Sequence, residues 1–206
     1  MAPFMRIVLA TKNPQKLEEL RAILADLPVE LVSAAEIGAP EVEEEESTLE
    51  ENARKKAVEV ARYARLPAIA DDTGLEVDAL SGAPGVLSAR YAGPGATYAH
   101  NCEKLLRALA GVPAERRAAR FRCVIAFSDA EGREVRLFAG HLEGKIGEAP
   151  RGGHGFGYDP LFIVAGDPLG RTLAELLPSE KNRISHRSRA LAGLRAEIER
   201  HAGIAR

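Results

Sequence analysis

The sequence predicts an α/β protein with a mixed sheet and flanking helices. Short apolar runs alternate with stretches of helical periodicity, the pattern that builds a sheet covered by helices. Residues 120–128 and 134–146 alternate between apolar and polar over lengths that suit two long antiparallel strands. A chain of 206 residues can bury one real core without disulfides or metals, so a single domain over residues 1–206 is expected, with room for two lobes around a cleft.

The elements follow in order. Residues 5–10 read as a buried strand, broken by Thr11-Lys12-Asn13-Pro14. Asn13 can cap the next helix and Pro14 suits its first position, with Leu17, Leu20, Ile23 and Leu24 on one face. Residues 29–33 form a second strand and residues 36–46 an acidic loop. Ser47 and Thr48, each followed three residues later by Glu, offer capping boxes for a helix with a buried stripe of Leu49, Ala53, Ala57, Val60 and Ala64. Pro67 ends it. Residues 68–70 predict a short strand that closes at Asp71-Asp72-Thr73-Gly74, and residues 75–80 a further strand. Residues 81–96, rich in Gly and Pro, read mostly as loop, and residues 97–109 as a helix with Cys102, Leu105, Leu106 and Leu109 inward. Between the two long strands, Gly132 takes the left-handed turn position. A Gly-dense loop over residues 151–159 precedes a strand at 161–164. Thr172 caps a short helix through Leu177, and Ser185 caps a final helix to about His201.

Composition excludes several classes of function. There are 28 Lys+Arg against 30 Asp+Glu, a formal net charge of −2, which argues against a basic nucleic-acid coat. The arginines Arg116, Arg117, Arg120 and Arg122 read as flanking a strand rather than a nucleic acid. The longest apolar runs, 7–10 and 161–165, are too short to span a bilayer. Residues 1–10 lack the features of a signal peptide. The two cysteines, Cys102 and Cys123, form neither a metal knuckle nor a disulfide framework. A cytoplasmic protein with reduced thiols is therefore expected.

Six motifs carry chemistry. Thr11, Lys12, Asn13, Pro14, Gln15 and Lys16 sit where a strand hands over to a helix, and free N–H groups with two lysines there can cradle phosphate. The same residues equally suit a plain turn with exposed lysines, and the Walker spacing is absent. Asp71 and Asp72 close an apolar strand, where open α/β sheets bind ligands. On extended backbone they point apart, so one can bind Mg²⁺ while the other orients neighbours or caps the turn. In the acidic run Glu41, Glu43, Glu44, Glu45, Glu46, one or two residues can complete such a site, and the run itself does not say which. Asn52 and Lys56, four apart, share a helix face beside the buried stripe; Lys56 there is either a charge for phosphate or an exposed lysine. Residues 152–160 (GGHGFGYDP) hold Phe156 between glycines, where it can stack on a base or plug the core. Lys181, His186 and Arg187 belong to a basic helix start, which the helix dipole disfavours, and they can donate to a carbonyl oxygen.

With these residues in place, the chain resembles the inosine triphosphate pyrophosphatase family over nearly its whole length, from Ile7 to the final helix. The landmarks are TKNPQK (11–16), ENARKKA (51–57), ADDTGL (70–75), GAPGVLSARY (82–91), FGYDP (156–160) and SHR (185–187). The resemblance departs at Lys12 and Gln15, where Gly is frequent, and at Glu45-Glu46, where Thr-Gly is usual. It implies an elongated mixed α/β fold with two lobes around a central cleft, a homodimer, and hydrolysis of ITP, dITP and XTP to the monophosphate and pyrophosphate. It implies that residues 11–16 hold the triphosphate and that Lys56 faces it. Asp72 would bind Mg²⁺ and act as general base, with Glu43 as second metal ligand, by counting back from Glu51-Asn52-Ala53. Thr73 would touch substrate, Phe156 would stack on the purine beside Gly157, Tyr158 and Asp159, and Lys181, His186 and Arg187 would read the base. Two rival readings are a Maf-like pyrophosphatase of other base preference and a non-catalytic nucleotide-binding module. The SHR and FGYDP segments speak against the first, and the carboxylates against the second. No nucleic acid or membrane partner is expected.

Overall fold

A computed structural model describes residues 5–44 and 46–201; Glu45 of the acidic run lies outside them, as do residues 1–4 of the signal-peptide reading. Among the described residues, seven strands form a mixed sheet. They are β1 (Met5–Leu9), β2 (Val29–Ser33), β3 (Ala68–Val77), β4 (Pro84–Gly85), β5 (Ala118–Ser128), β6 (Val135–Ile146) and β7 (Phe162–Val164). The α-helices are α1 (Pro14–Ile23), α2 (Leu49–Ala64), α3 (Tyr98–Ala108), α4 (Pro178–Ile184) and α5 (His186–His201). None of the helices is long and apolar enough to cross a membrane.

The strand order is β2-β1-β3-β5-β6-β7, with β4 on β3. β1 pairs parallel with β2 and with β3, while β4 on β3 and β7 on β6 are antiparallel. β5 and β6 are neighbours joined by a turn in which the Asp129 N–H donates to the Glu134 carbonyl at 3.1 Å. A parallel pair would need a far longer crossover, so this is the antiparallel hairpin that the alternation predicts. Gly132 takes φ +67° in the turn, as expected, and a Cβ there would lie 2.7 Å from Arg62 Nε.

The chain divides into two compact units. One comprises the described residues up to Asp72, then 123–140, then those from Arg187 onward; the other comprises 73–122 and 141–186. Each has its own core. In the first, Ile7, Leu9 and Ile69 pack with Leu20 and Leu24 of α1, with Ile125 and Phe127 of β5, and with Leu191 and Leu194 of α5. In the second, Leu75, Leu105, Leu109, Phe121, Leu161, Phe162 and Leu173 pack together. Each such side chain contributes about 1.5–3 kcal/mol by leaving water.

The helix starts behave as their sequences dictate. Asn13 Oδ1 accepts from the N–H of Gln15 at 3.0 Å and of Lys16 at 3.2 Å, with Pro14 in the first position of α1. Of the two candidate caps for α2, Thr48 is the one that accepts from the Glu51 N–H, at 3.2 Å. α2 buries Leu49, Ala53, Ala57 and Val60 as expected; Ala64 is only half-buried, and Asn52, Lys56 and Ala61 are buried too.

Three parts of the sequence reading need correction. The segment 68–80 is not two strands around a turn: β3 runs unbroken through Asp71-Asp72-Thr73-Gly74 to Val77, and Asp78–Leu80 is a 3₁₀ turn. Asp and Gly are poor strand formers, but tertiary contacts decide here. Gly74 is required because a Cβ would sit 2.7 Å from the Gly85 carbonyl of β4. The loop at 81–96 contains β4 and a 3₁₀ turn at Ser88–Arg90. Finally, Thr172 starts only a 3₁₀ turn, Leu173–Glu175, and a separate helix, α4, begins at Pro178. Proline at a first helical position loses no hydrogen bond.

The interior of β3 is charged, which is where the fold turns toward function. Asp71 is 1% exposed. Lys16 Nζ lies 3.1 Å and Arg187 Nη2 2.9 Å from its Oδ2, and Arg187 also donates to Glu19. Burial would raise the pKa of Asp71, but Lys16, Arg187 and Lys56 outweigh it and hold the carboxyl well below its ordinary value. Removing one partner of a buried ion pair leaves an uncompensated charge at a cost of about 3–5 kcal/mol. Asp71→Asn is therefore expected to lower the stability to urea by an amount in that range. A loss below about 1 kcal/mol would show that the network is dispensable.

Candidate active site

The first unit gathers one group of candidate residues. The helical period sets Asn52 and Lys56 one turn apart on the buried face of α2, 1% and 7% exposed. Asn52 Oδ1 accepts from the Glu46 N–H at 3.2 Å and its Nδ2 donates to the Glu46 carbonyl at 3.4 Å, so it grips the backbone of the acidic segment. Lys56 Nζ donates to Glu44 Oε1 at 2.6 Å, to the Asp71 carbonyl at 2.7 Å and to Asp72 Oδ1 at 3.2 Å. Burial would lower the pKa of Lys56, yet Asp72, Glu44 and Asp71 together raise it, so the ammonium stays charged. Burial raises the pKa of Asp72, reinforced by Glu44 and opposed by Lys56 and Lys16. Asp72 Oδ2 is buried and has no hydrogen-bond partner among the described residues.

The loop at residues 11–16 joins this group through Lys16, bound to Asp71. The Asn13 N–H donates to Thr11 Oγ1 at 3.2 Å, and the Asn13 cap occupies the Gln15 and Lys16 amides. Lys12, Pro14 and Gln15 are exposed. Of the acidic run, Glu44 reaches Lys56; Glu43 is exposed and makes no hydrogen bond or ion pair among the described residues. Arg187 lies in this unit, 1% exposed, on Asp71 and Glu19.

The second unit gathers the other candidates. Thr73 is half-buried on β3. Asp159 accepts at Oδ2 from the Phe156 N–H at 2.9 Å and from Lys181 Nζ at 2.5 Å, and Lys181 lies 4.7 Å from the Phe156 ring centroid. Gly155 must be glycine, since its φ is +74° and a Cβ would meet Asp159. Gly157 also takes a positive φ, +63°. Tyr158 is buried, its hydroxyl donating to the Ser88 carbonyl at 2.9 Å, and burial pushes the phenol well above its ordinary pKa. His186 is 3% exposed and stacks on Phe121, with centroids 4.7 Å apart and planes at 19°. His186 and Arg187, adjacent in sequence, thus belong to different units.

Sequence reasoning did not single out Glu19, which shares Arg187, or Tyr98, which touches Phe156. It also passed over Ser88, whose hydroxyl accepts from the Leu75 N–H at 2.8 Å and donates to the Gly85 carbonyl at 2.6 Å. Glu19 and Tyr98 carry no motif and are legible only through partners distant in sequence; Ser88 lies within the landmark at 82–91, but its bond to the Leu75 N–H is not readable from that segment.

Among the described residues, no cluster of three or more His, Cys, Asp or Glu side chains is placed to hold a metal ion. Mg²⁺ does not need one: it usually takes one or two carboxylates and completes its shell with waters and substrate phosphates. The unpartnered Asp72 Oδ2, and Glu44 on the same ammonium, supply two hard oxygen donors, so the residues present fit such an ion.

Known proteins resemble this chain over nearly its whole length. A protein of Methylococcus capsulatus named dITP/XTP pyrophosphatase is 50% identical over 199 residues, spanning 96% of this chain and 98% of the relative. One of the same name from Desulfotalea psychrophila is 52% identical over 192 residues, 93% of this chain and 84% of the relative. The solved structure of a HAM1 protein from Coxiella burnetii superposes with a TM-score of 0.86 at 44% identity, covering 96% of this chain and all of that one (100%). The sequence model of the Ham1 family matches residues 7–197, and the chain belongs to that family.

Proposed function

We propose that this protein is a nucleoside triphosphate pyrophosphatase acting on non-canonical purine nucleotides, dITP and XTP together with ITP. It converts NTP and water to NMP and pyrophosphate and so clears these nucleotides from the pool. The observation that carries the reading is Lys56, an ammonium buried against Glu44 and Asp72, with one Asp72 oxygen left without a hydrogen-bond partner among the described residues. The names borne by relatives at about half identity support the substrate class.

In this reading residues 11–16 and Lys56 take the triphosphate. Lys12, Lys16 and Lys56 offset the charge that builds on departing pyrophosphate; phosphoryl transfer depends mainly on such positioning and charge neutralisation. Asp72 and Glu44 hold Mg²⁺, which when bound supplies Lewis-acid neutralisation of the phosphates and lowers the pKa of water. Asp72 orients the attacking water toward the α-phosphorus and accepts its proton. Asp71, pinned as a permanent anion, fixes Lys16 and Arg187.

The base falls to the second unit's residues. Phe156 stacks on the purine, with Thr73, Gly157, Tyr158 and Asp159 shaping its surroundings. Lys181 and His186 donate toward the C6 oxygen that hypoxanthine and xanthine share and adenine replaces with an amine. A site built to donate to an oxygen rejects a group that cannot accept, since its buried donors are left unpaired. A homodimer and a cytoplasmic location complete the proposal; the first rests on the family resemblance and is tested by light scattering, the second on the cysteine usage and residues 1–10.

Two outcomes are expected. Asp72→Asn abolishes turnover while the melting temperature stays within a few degrees of the wild type; full turnover would remove Asp72 from the chemistry. Pyrophosphate release, measured across ITP, dITP, XTP, ATP, GTP and UTP, is lost in EDTA and restored by Mg²⁺. With Mg²⁺ it is faster on ITP, dITP and XTP than on ATP by roughly 10²–10⁴. Equal rates on ITP and ATP would refute base reading, and release in EDTA would refute the metal.

A further inference from the structure

The first turn of α3 carries a tyrosine for which the proposed chemistry has no use. Thr97 caps this helix, accepting from the His100 N–H at 3.2 Å while His100 Nδ1 accepts from the Thr97 N–H at 3.4 Å, so the start of α3 is fixed in place. Tyr98 follows at once, 39% exposed. Its ring lies against Phe156, with centroids 5.9 Å apart and planes tilted by 38°, within the range of a favourable aromatic pair. One turn further on, Cys102 Sγ donates to the Gly157 carbonyl at 3.4 Å. Tyr98 and Cys102 are four apart, so one face of α3 touches two consecutive residues of the glycine loop.

Phe156 is flanked by Gly155 and Gly157, both at positive φ; its N–H donates to Asp159 Oδ2 and its carbonyl accepts from the Asp159 N–H. A neighbour that holds an aromatic ring in its binding orientation before a base arrives spares the cost of ordering it and raises affinity. We propose that Tyr98 is a positioning residue for base binding: resting on Phe156, it holds that ring in the orientation on which the purine stacks, while Cys102 anchors the following peptide. This rests on the reading that Phe156 stacks on the base. It assigns Tyr98 an effect on nucleotide affinity and none on the phosphates.

The test compares the wild type with Tyr98→Ala, Tyr98→Phe and Phe156→Ala. It measures KM and kcat for ITP, the inhibition constant of inorganic tripolyphosphate, which has no base, and the melting temperature. Tyr98→Ala is expected to raise KM about threefold to tenfold, from the usual strength of an aromatic pair. The change in kcat should be smaller than the change in KM, and tripolyphosphate should bind as before. Tyr98→Phe, which keeps the ring, should restore KM. An unchanged KM in Tyr98→Ala overturns the proposal, as does a parallel loss of tripolyphosphate binding or a Phe variant that behaves like Ala. Phe156→Ala separates the two levels. If it leaves KM unaltered, stacking itself fails and the role of Tyr98 falls with it. If it raises KM while Tyr98→Ala does not, only the role of Tyr98 fails.

Discussion

Asp71 and Asp72 stand side by side in the middle of a β-strand, 1% and 5% exposed. An ionised carboxylate without partners in such a place costs more than a protein of ordinary stability can bear. The first unit is organised around that constraint. Successive strand residues point to opposite faces, so the two carboxylates are met separately. Lys16 comes from α1 and Arg187 from α5 to Asp71, and Lys56 comes from α2 to Asp72. The two outcomes differ. Asp71 has two cations at hydrogen-bonding distance and is locked as an anion. Asp72 shares one ammonium with Glu44, has its pKa raised, and keeps an oxygen without a partner among the described residues. Neighbouring residues of one type thus acquire different chemistry from their surroundings, as paired acid–base groups commonly do.

The same constraint explains what the sequence concealed. Apolar periodicity made β1, β2, α1, α2, α3 and the long hairpin visible, because each buries one face and shows it in its spacing. Asp-Asp-Thr-Gly carries the composition of a turn, and nothing local contradicts that. Only the cations from distant helices make it the interior of β3. α4 has seven residues and β4 has two, too few for a period to register. The 3₁₀ turn after Thr172 has a helical cap without a helix behind it.

The site was legible in proportion to how far its residues depend on spacing. Asn52 and Lys56 follow the helical period beside a buried stripe, which is why a face turned inward was conceivable, and both are buried. The acidic run has no period. Counting back from Asn52 points to Glu43, whereas Asn52 itself grips the Glu46 backbone, and with that anchor Glu44 is the carboxylate that reaches Lys56. The Gly-dense loop announced a special backbone. That Asp159 accepts from both Phe156 and Lys181 could not be read from it, because a carboxylate turn and its ammonium lie 22 residues apart.

The start of α5 shows how a mismatch in sequence divides into separate causes. His186 and Arg187 open this helix with no acidic residue in its first turn. The dipole penalises a cation there by about 0.3–1 kcal/mol, and a bound ligand is one way to explain the anomaly. For Arg187 the protein supplies its own answer. Asp71 and Glu19 both accept from the guanidinium, and hydrogen bonds to charged groups contribute about 1.5–3 kcal/mol each, more than the dipole takes away. The arginine is therefore accounted for by β3 and α1 before any substrate is considered. His186 packs its ring on Phe121 in the other unit, an arrangement that needs no charge at all. Both residues at the start of α5 are thus placed by the protein's own contacts, Arg187 by two carboxylates and His186 by an aromatic ring.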